Sequence, residues 1–152
     1  MKHLLIILSF LLLSSPVIGD NHKGETLYGW GKCCDYVWKG FGDKETHSVY
    51  TGDVGNGVPN GFGIMIFPNG NKYIGDWKDG KWNGQGTFTT SNGSKYEGEL
   101  KNGERHGQGT HTYPDGSKFE GDYKDDWELN GTQYDKNGNI KYKYVNGKQI
   151  KQ

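Results

Sequence analysis

Two histidines and a group of acids are the residues of this sequence with the most obvious capacity for chemistry. His106 and His111 stand five positions apart, and no serine or acid lies where a catalytic triad would need it. The nearby acids are Glu120, Asp122, Asp125, Asp126 and Glu128. Their spacing is not that of an EF-hand calcium loop, and solvated strand and turn acids explain them. We therefore predict no catalytic residue, no metal site and no cofactor.

The two cysteines, Cys33 and Cys34, are adjacent in the sequence. A disulfide between neighbours closes a strained ring, because normal geometry separates the two Cα atoms. No second cysteine pair or histidine stands at metal-ligand spacing, and Cys33 has no identifiable base. Three states stay open: a disulfide to a partner, a strained vicinal bridge, and two reduced thiols.

Aromatic residues recur at regular intervals and form the strongest candidate for a binding surface. Tyrosine and tryptophan dominate binding hot spots, and monomers rarely expose large apolar patches. The predicted groove residues are Tyr73, Trp77, Phe88, Tyr96, Leu100, Tyr113, Phe119 and Tyr123. We expect a ligand groove for a protein, with a self-covered core as the alternative; stacking on sugars also suits such rings. Alanine at Trp77 and Tyr96 should then abolish binding before the β fold.

An internal repeat positions these aromatic residues. The sequence aligns with itself at a period of 23 residues, and an array of this kind is typical of a repeat protein. Glycine occupies the third position of every unit, and a Gly-x-Gly pair follows in the first three. The units are residues 50–72, 73–95, 96–118 and a degenerate 119–141, in which Asp126 and Asn130 replace glycines.

Each unit reads as a β-hairpin. The segment KYIGDW at 72–77 alternates with period two, and Asp79-Gly80 follows as a dipeptide that suits a tight hairpin turn. We therefore predict an all-β fold, a single-layer, twisted antiparallel meander of eight to ten short strands. One face should be aromatic plus glycine, and the other mostly charged or threonine. Valine at Gly98 should destabilise the sheet by crowding Tyr73 and Phe119.

Charge and composition exclude some functions. Without Lys2 the chain carries one more acidic than basic side chain, which is not the basic footprint of a nucleic-acid binder. Lysines near the aromatic residues are interleaved with acids, as on a solvated outer face. Aromatic residues make up 14% of the chain, which indicates a folded protein with a thin core.

The segment YEGELKNGERHGQGTHTYPDGSK at 96–118 resembles a MORN (membrane occupation and recognition nexus) repeat, with the consensus Y-x-G-x-x-x-x-G-x-x-x-G-x-G. The resemblance covers residues 50 to about 132, and the later YDKNG and YVNGK are similar to looser variant repeats. It implies a single-layer sheet with a shallow aromatic groove. It also implies a non-catalytic module that binds protein partners and, in some settings, membranes or phosphoinositides.

The first 19 residues have the order of a secretory signal peptide. Lys2 and His3 precede an apolar run at 4–13, and small residues lead to a predicted cleavage after Gly19. The run is shorter than the roughly 20 residues of a spanning helix. Residues 20–49 are then an N-terminal segment with a partial capping repeat, and 142–152 are a fragmentary C-terminal repeat.

These observations predict an exported, periplasmic or extracellular, MORN-repeat scaffold that is not an enzyme. Its aromatic groove should bind a protein partner that the sequence does not name. A membrane-surface module that binds phospholipid is the alternative. We expect no nucleic-acid partner, and the free edge strands of an open sheet invite self-association.

Overall fold

The computed structural model describes residues 22–32 and 35–151. The predicted signal peptide, Cys33 and Cys34 lie outside these residues. No helix long and apolar enough to cross a membrane occurs in the described part of the chain.

The described residues form one antiparallel sheet of twelve strands. The strands are β1 (His22–Trp30), β2 (Val37–Lys39), β3 (Ser48–Gly55), β4 (Val58–Ile66), β5 (Lys72–Lys78), β6 (Lys81–Thr89), β7 (Lys95–Lys101), β8 (Glu104–Thr112), β9 (Lys118–Lys124), β10 (Trp127–Tyr134), β11 (Ile140–Val145) and β12 (Lys148–Lys151). From β3 to β12 each strand pairs with the next, while β1 lies between β2 and β3. The predicted all-β meander is confirmed. It has more strands than the eight to ten expected, because segments outside the four units add pairs at both edges.

Two kinds of turn alternate along the sheet. Within a unit the strands are joined by two residues that both have positive φ, as in Asn56 (52°) with Gly57 (76°) and Asp79 (50°) with Gly80 (78°). These values are those of a type I′ hairpin turn, whose twist matches the flanking strands. Between units the turn is longer, and the Gly70 amide donates to the Phe67 carbonyl at 2.9 Å. The Asn-Gly and Asp-Gly dipeptides thus mark both kinds of turn.

A row of aligned glycines crosses the sheet from β3 to β10. Each glycine is the direct register partner of the next, so no side chain separates neighbouring strands along this line. The row is Gly52, Gly63, Gly75, Gly86, Gly98, Gly109, Gly121 and Gly131. A Cβ added at Gly86 would lie 2.4 Å from the Tyr73 hydroxyl oxygen, and one at Gly109 would lie 2.4 Å from that of Tyr96. The glycines therefore leave room for the tyrosine at the head of each unit to lie flat on the backbone.

The same tyrosines satisfy the backbone where each hairpin is irregular. Between Gly98 and Leu100 the register shifts, so that one residue of β7, Glu99, faces three residues of β8. The Tyr96 hydroxyl donates to the Glu99 carbonyl at 2.8 Å, and Tyr73 donates to the Asp76 carbonyl at 3.0 Å in the preceding unit. One side chain therefore packs over the glycines and also satisfies a carbonyl of its own strand opposite the bulge.

We expect Tyr96→Phe to lower the free energy of unfolding by about 1 kcal/mol, because the Glu99 carbonyl loses its hydroxyl donor while the ring stays in place. Urea denaturation of the variant and the parent measures the difference. Equal midpoints and slopes would show that water replaces the hydroxyl at no cost.

The fourth unit lacks this hydroxyl and has a different irregularity. Phe119 stands where the other units have tyrosine, and the register shift falls on β10, where Leu129 is the extra residue between Glu128 and Asn130. Asp122 therefore pairs directly with Asn130. Gly131 follows Gly121 by ten residues, whereas Gly109 follows Gly98 by eleven, and this shorter spacing corresponds to the narrower bulge.

In the first unit, the face of the sheet opposite the glycine row is not mostly charged or threonine, as the sequence predicted. On β4 the outward side chains are apolar, with Phe62 56%, Ile64 38% and Ile66 52% exposed. The corresponding positions of β6 and β8 are Gln and Thr, as predicted. The charged and threonine-rich pattern therefore holds for the later units only.

Candidate binding groove

Six of the eight predicted groove residues form the core of the sheet. Tyr73 and Phe119 are fully buried, and the exposed fractions of Trp77, Tyr96, Leu100 and Tyr123 are between 2% and 4%. Each unit has a first strand (β3, β5, β7 or β9) and a second strand (β4, β6, β8 or β10), and all six residues lie on first strands. Phe88 on β6 and Tyr113 directly after β8 are only partly buried. These six side chains are therefore covered by the protein itself, and a ligand on this face would meet the second strands of the later units, since Pro59 and Met65 of the first unit are also buried.

Aromatic residues from outside the repeats cover both ends of this core. Trp38 on β2 packs edge-on against Tyr50 and Trp77, with ring centroids 5.9 and 5.8 Å apart. At the other end Tyr144 on β11 packs against Phe119 at 5.3 Å. Such contacts contribute beyond simple area burial, and terminal units of an array need them because no further repeat follows.

The second strand of each unit supplies side chains that differ from unit to unit. Opposite the buried residue of the first strand stand Pro59, Trp82, Arg105 and Glu128, in that order across the sheet. In the next groove-facing position beyond the glycine row stand Met65, Phe88, His111 and Gln133. The groove therefore changes from apolar to cationic to anionic along its length. We did not predict Trp82, Arg105 or Glu128 as groove residues, although their variation within an otherwise regular repeat was a usable signal.

Arg105 is held in the middle of the groove by the turn of the next unit. Its Nε donates to Asp126 Oδ1 at 3.0 Å, and its Nη2 donates to the Asp126 carbonyl at 2.7 Å. Asp126 replaces the turn glycine and keeps a positive φ of 70°. Aspartate tolerates this region better than most residues. The exchange of glycine for Asp126 therefore gives Arg105 a fixed position, with its Cζ 5.0 Å from the Tyr123 ring.

His111 and Tyr113 extend this polar segment. His111 Nε2 and the Ser94 hydroxyl lie 2.7 Å apart, and the Tyr113 hydroxyl donates to Glu128 Oε1 at 3.1 Å. Burial, and next the nearby Arg105 guanidinium, lower the pKa of His111 below 6.5. Burial and Glu128 raise the pKa of Tyr113 to about 12. Both side chains are therefore neutral at pH 7.

The Ser94–His111 pair does not have the arrangement of a catalytic pair. A catalytic histidine needs an acceptor on its second ring nitrogen to stabilise the imidazolium. Here His111 Nδ1 faces Arg105 Nη1 at 3.5 Å, and this cation opposes protonation. His106, the second of the two histidines weighed for catalysis, contacts Asp125 instead, at 3.5 Å between Nδ1 and Oδ1. The structure does not join the two histidines in one hydrogen-bonded site.

Because the folded protein binds a proton at His111 more weakly than the unfolded chain does, the unfolded chain takes up protons first as the pH falls below about 6.5. Stability from this group is complete above that pH and decreases below it. We expect His111→Gln to lose less stability than the parent between about pH 7 and pH 5. Urea denaturation across this range tests it. If the free energy of unfolding had the same dependence on pH in variant and parent, His111 would have the same pKa in the folded and unfolded chains.

Two adjoining cavities lie on the groove. The apolar cavity, about 460 Å³, is lined chiefly by Trp82, Phe88, Tyr96 and Leu100. The charged cavity, about 750 Å³, is lined chiefly by Tyr113, Asp125, Trp127, Glu128 and Tyr144. The two share Arg105, His111 and Asp126 as a common wall, and together they form the depression of the groove.

The described residues contain no group of three or more side chains placed to hold a metal ion. Among the described residues no lysine or arginine is bonded to Asp125 or Glu128 of the charged cavity, and such carboxylates favour a positively charged occupant.

The part of the sheet that carries the glycine row and a tyrosine at the head of each unit matches a known family of repeats. The MORN repeat family model matches residues 50–72, 73–95 and 96–118. No curated protein matches the chain. MORN repeats generally serve in binding to proteins or membranes. The strands β3 to β8, with their shared row of glycines and their groove, thus belong to three consecutive MORN repeats.

Proposed function

We propose that this chain is an exported, non-catalytic MORN-repeat module that binds a protein partner through its groove. The observation that carries the proposal is the contrast between the two strands of each repeat. The first strands always bury an aromatic ring at their head and an apolar side chain four residues later. The second strands differ in chemical type from unit to unit, with Pro59, Trp82, Arg105 and Glu128 at the same position. Such a surface offers position-specific recognition along its length.

The chemistry of the exposed groove residues favours a protein as the ligand. Trp82, Arg105 and Tyr113 belong to the residue types enriched in binding hot spots. The apolar cavity combines aromatic walls with Ser94 and Arg105 at its rim, which matches an apolar anchor surrounded by polar contacts. An extended segment of a partner could lie along the depression and place successive side chains in the two cavities.

A photo-crosslinking amino acid tests the location of binding. Incorporation at Phe88 or Tyr113 should link the partner in an extract of the host envelope, whereas incorporation at Thr87, on the opposite face of β6, should not. Thr87 is the matched control because it is the sequence neighbour of Phe88. Equal linking from both faces, or from neither, would contradict binding through the groove.

The export part of the proposal rests on the N-terminal sequence. Expression of the full chain in its host, followed by mass spectrometry of the purified protein, should give a mature protein that begins at Asp20. A protein that keeps residues 1–19 and stays in the cytoplasm would overturn this part alone.

One observation favours the membrane alternative. Residues 136–152 contain five lysines and no acid, and Ile140, Val145 and Ile150 are 45–50% exposed there. A basic segment with exposed apolar side chains suits an anionic lipid surface. The test is co-sedimentation of the mature protein with neutral and anionic vesicles at low and high salt. Binding to anionic vesicles that salt relieves, and that Lys141→Gln with Lys143→Gln removes, would support this alternative.

A further inference from the structure

The charged cavity has an excess of negative charge that its own residues do not neutralise. One guanidinium, Arg105, faces the three carboxylates of Asp125, Asp126 and Glu128. Arg105 is committed to Asp126 through both a side-chain and a backbone hydrogen bond. Asp125 has only a 3.5 Å contact with His106, and Glu128 accepts a hydrogen bond from the neutral Tyr113. Two carboxylates therefore remain without a cation in hydrogen-bond contact among the described residues.

Aromatic side chains surround the same carboxylates. Tyr113 and Tyr144 line the cavity beside Glu128, and Trp127 stands at its rim with 79% of its surface exposed. The face of an aromatic ring attracts a cation, and a tryptophan does so most strongly. Carboxylates in a cavity lined by three aromatic side chains are thus complementary in charge to an ammonium or guanidinium group.

The adjoining apolar cavity defines the second part of the ligand. Trp82, Phe88 and Leu100 form its walls, and the Arg105–Asp126 pair that separates it from the charged cavity is internally neutralised. An aliphatic or aromatic side chain fits this end, whereas an additional charge would find no free partner.

We propose that the groove recognises an extended segment of a protein partner that places an apolar side chain in the apolar cavity and a lysine or arginine side chain in the charged cavity. This inference rests on the proposed function and specifies the chemistry of the partner. The carboxylates of Asp125 and Glu128 hold the basic group, and Trp127 covers it.

The test is selection of binding peptides from a displayed library of random peptides with the full mature protein as bait. The selected peptides should carry a lysine or arginine next to or near an apolar residue. Titration of one such peptide should shift the indole N–H signals of Trp82 and Trp127 in NMR spectra. The double variant Asp125→Asn with Glu128→Gln keeps the turn and the hydrogen bond from Tyr113. It should bind the peptide about three- to tenfold more weakly, and lose the preference for basic residues.

Glu97→Gln is the matched control, because it removes an acid from the opposite face of β7, where Glu97 pairs with Lys95 at 2.7 Å. It should leave affinity unchanged. Selected peptides that shift Trp82 but show no basic preference would overturn this inference and leave the groove as a protein site. Failure to recover any peptide that shifts either indole would overturn both the inference and the proposed groove function.

Discussion

Replacing Gly98 with valine should lower the free energy of unfolding by at least about 3 kcal/mol, since overpacking here acts against backbone and not against a flexible side chain. A Cβ at this position would lie 2.5 Å from both the Gly109 Cα and the Gln108 carbonyl oxygen, and 2.8 Å from the Tyr96 hydroxyl. Strands β7 and β8 would have to separate, and Tyr96 would have to leave the Glu99 carbonyl. Urea denaturation followed by circular dichroism measures the loss.

Gly40→Ala is the control for this experiment. No atom lies within 4 Å of a Cβ added at Gly40, and its φ is not in the left-handed region. Alanine there should change stability by no more than about 0.5 kcal/mol, as at other open surface positions. A Gly98→Val protein as stable as Gly40→Ala would show that the glycine row has no packing role.

Alanine at Trp77 or at Tyr96 should each lower the free energy of unfolding by about 3–5 kcal/mol, the range for large buried rings. Each residue is 4% exposed. Trp77 packs edge-on against Tyr73 at 5.3 Å, and Tyr96 packs edge-on against Tyr123 at 5.3 Å. The sequence predicted that binding would be lost before the fold. Because both rings are buried, we instead expect the fold to be lost together with binding. Thermal denaturation of each variant measures this.

Tyr113→Ala provides the comparison for these core substitutions. Tyr113 is half-buried at the groove, and its hydroxyl donates to Glu128. Its removal should reduce binding while the β circular-dichroism signal and most of the stability remain. A melting temperature of Trp77→Ala equal to that of Tyr113→Ala would contradict the division between buried first strands and a groove of second strands.

The sequence was sufficient to predict the architecture, because turn dipeptides and period-two alternation are local signals. It also placed the aromatic residues and glycines on one face. The atoms nearest to a Cβ at Gly98 belong to Gln108, Gly109 and Tyr96, whereas the sequence pointed to Tyr73 and Phe119. Alternation gives the face of a side chain but not the direction in which its ring leans, and the Tyr96 ring follows its own strand to reach the Glu99 carbonyl.

The groove was less predictable for a related reason. First and second strands contribute aromatic residues to the same face. The period-two pattern does not show which ring lies against the backbone and is buried, and which ring stacks on top of it. The stacking of Trp82 on Tyr73, with centroids 4.4 Å apart, decides which is buried. Arg105 depends on Asp126, 21 positions away in the next unit, and no local pattern connects the two.

Strand register has a consequence for how such a chain can change in evolution. Within a repeat the register of the two strands shifts, as between Gly75 and Trp77 of β5. At the boundaries between repeats, β4 pairs with β5 and β6 with β7 without any register shift. A tandem duplication or loss of one 23-residue block therefore leaves matched strands at the new junction. Each such genetic event adds or removes one row of recognition side chains, and natural selection can then alter that row without altering the scaffold.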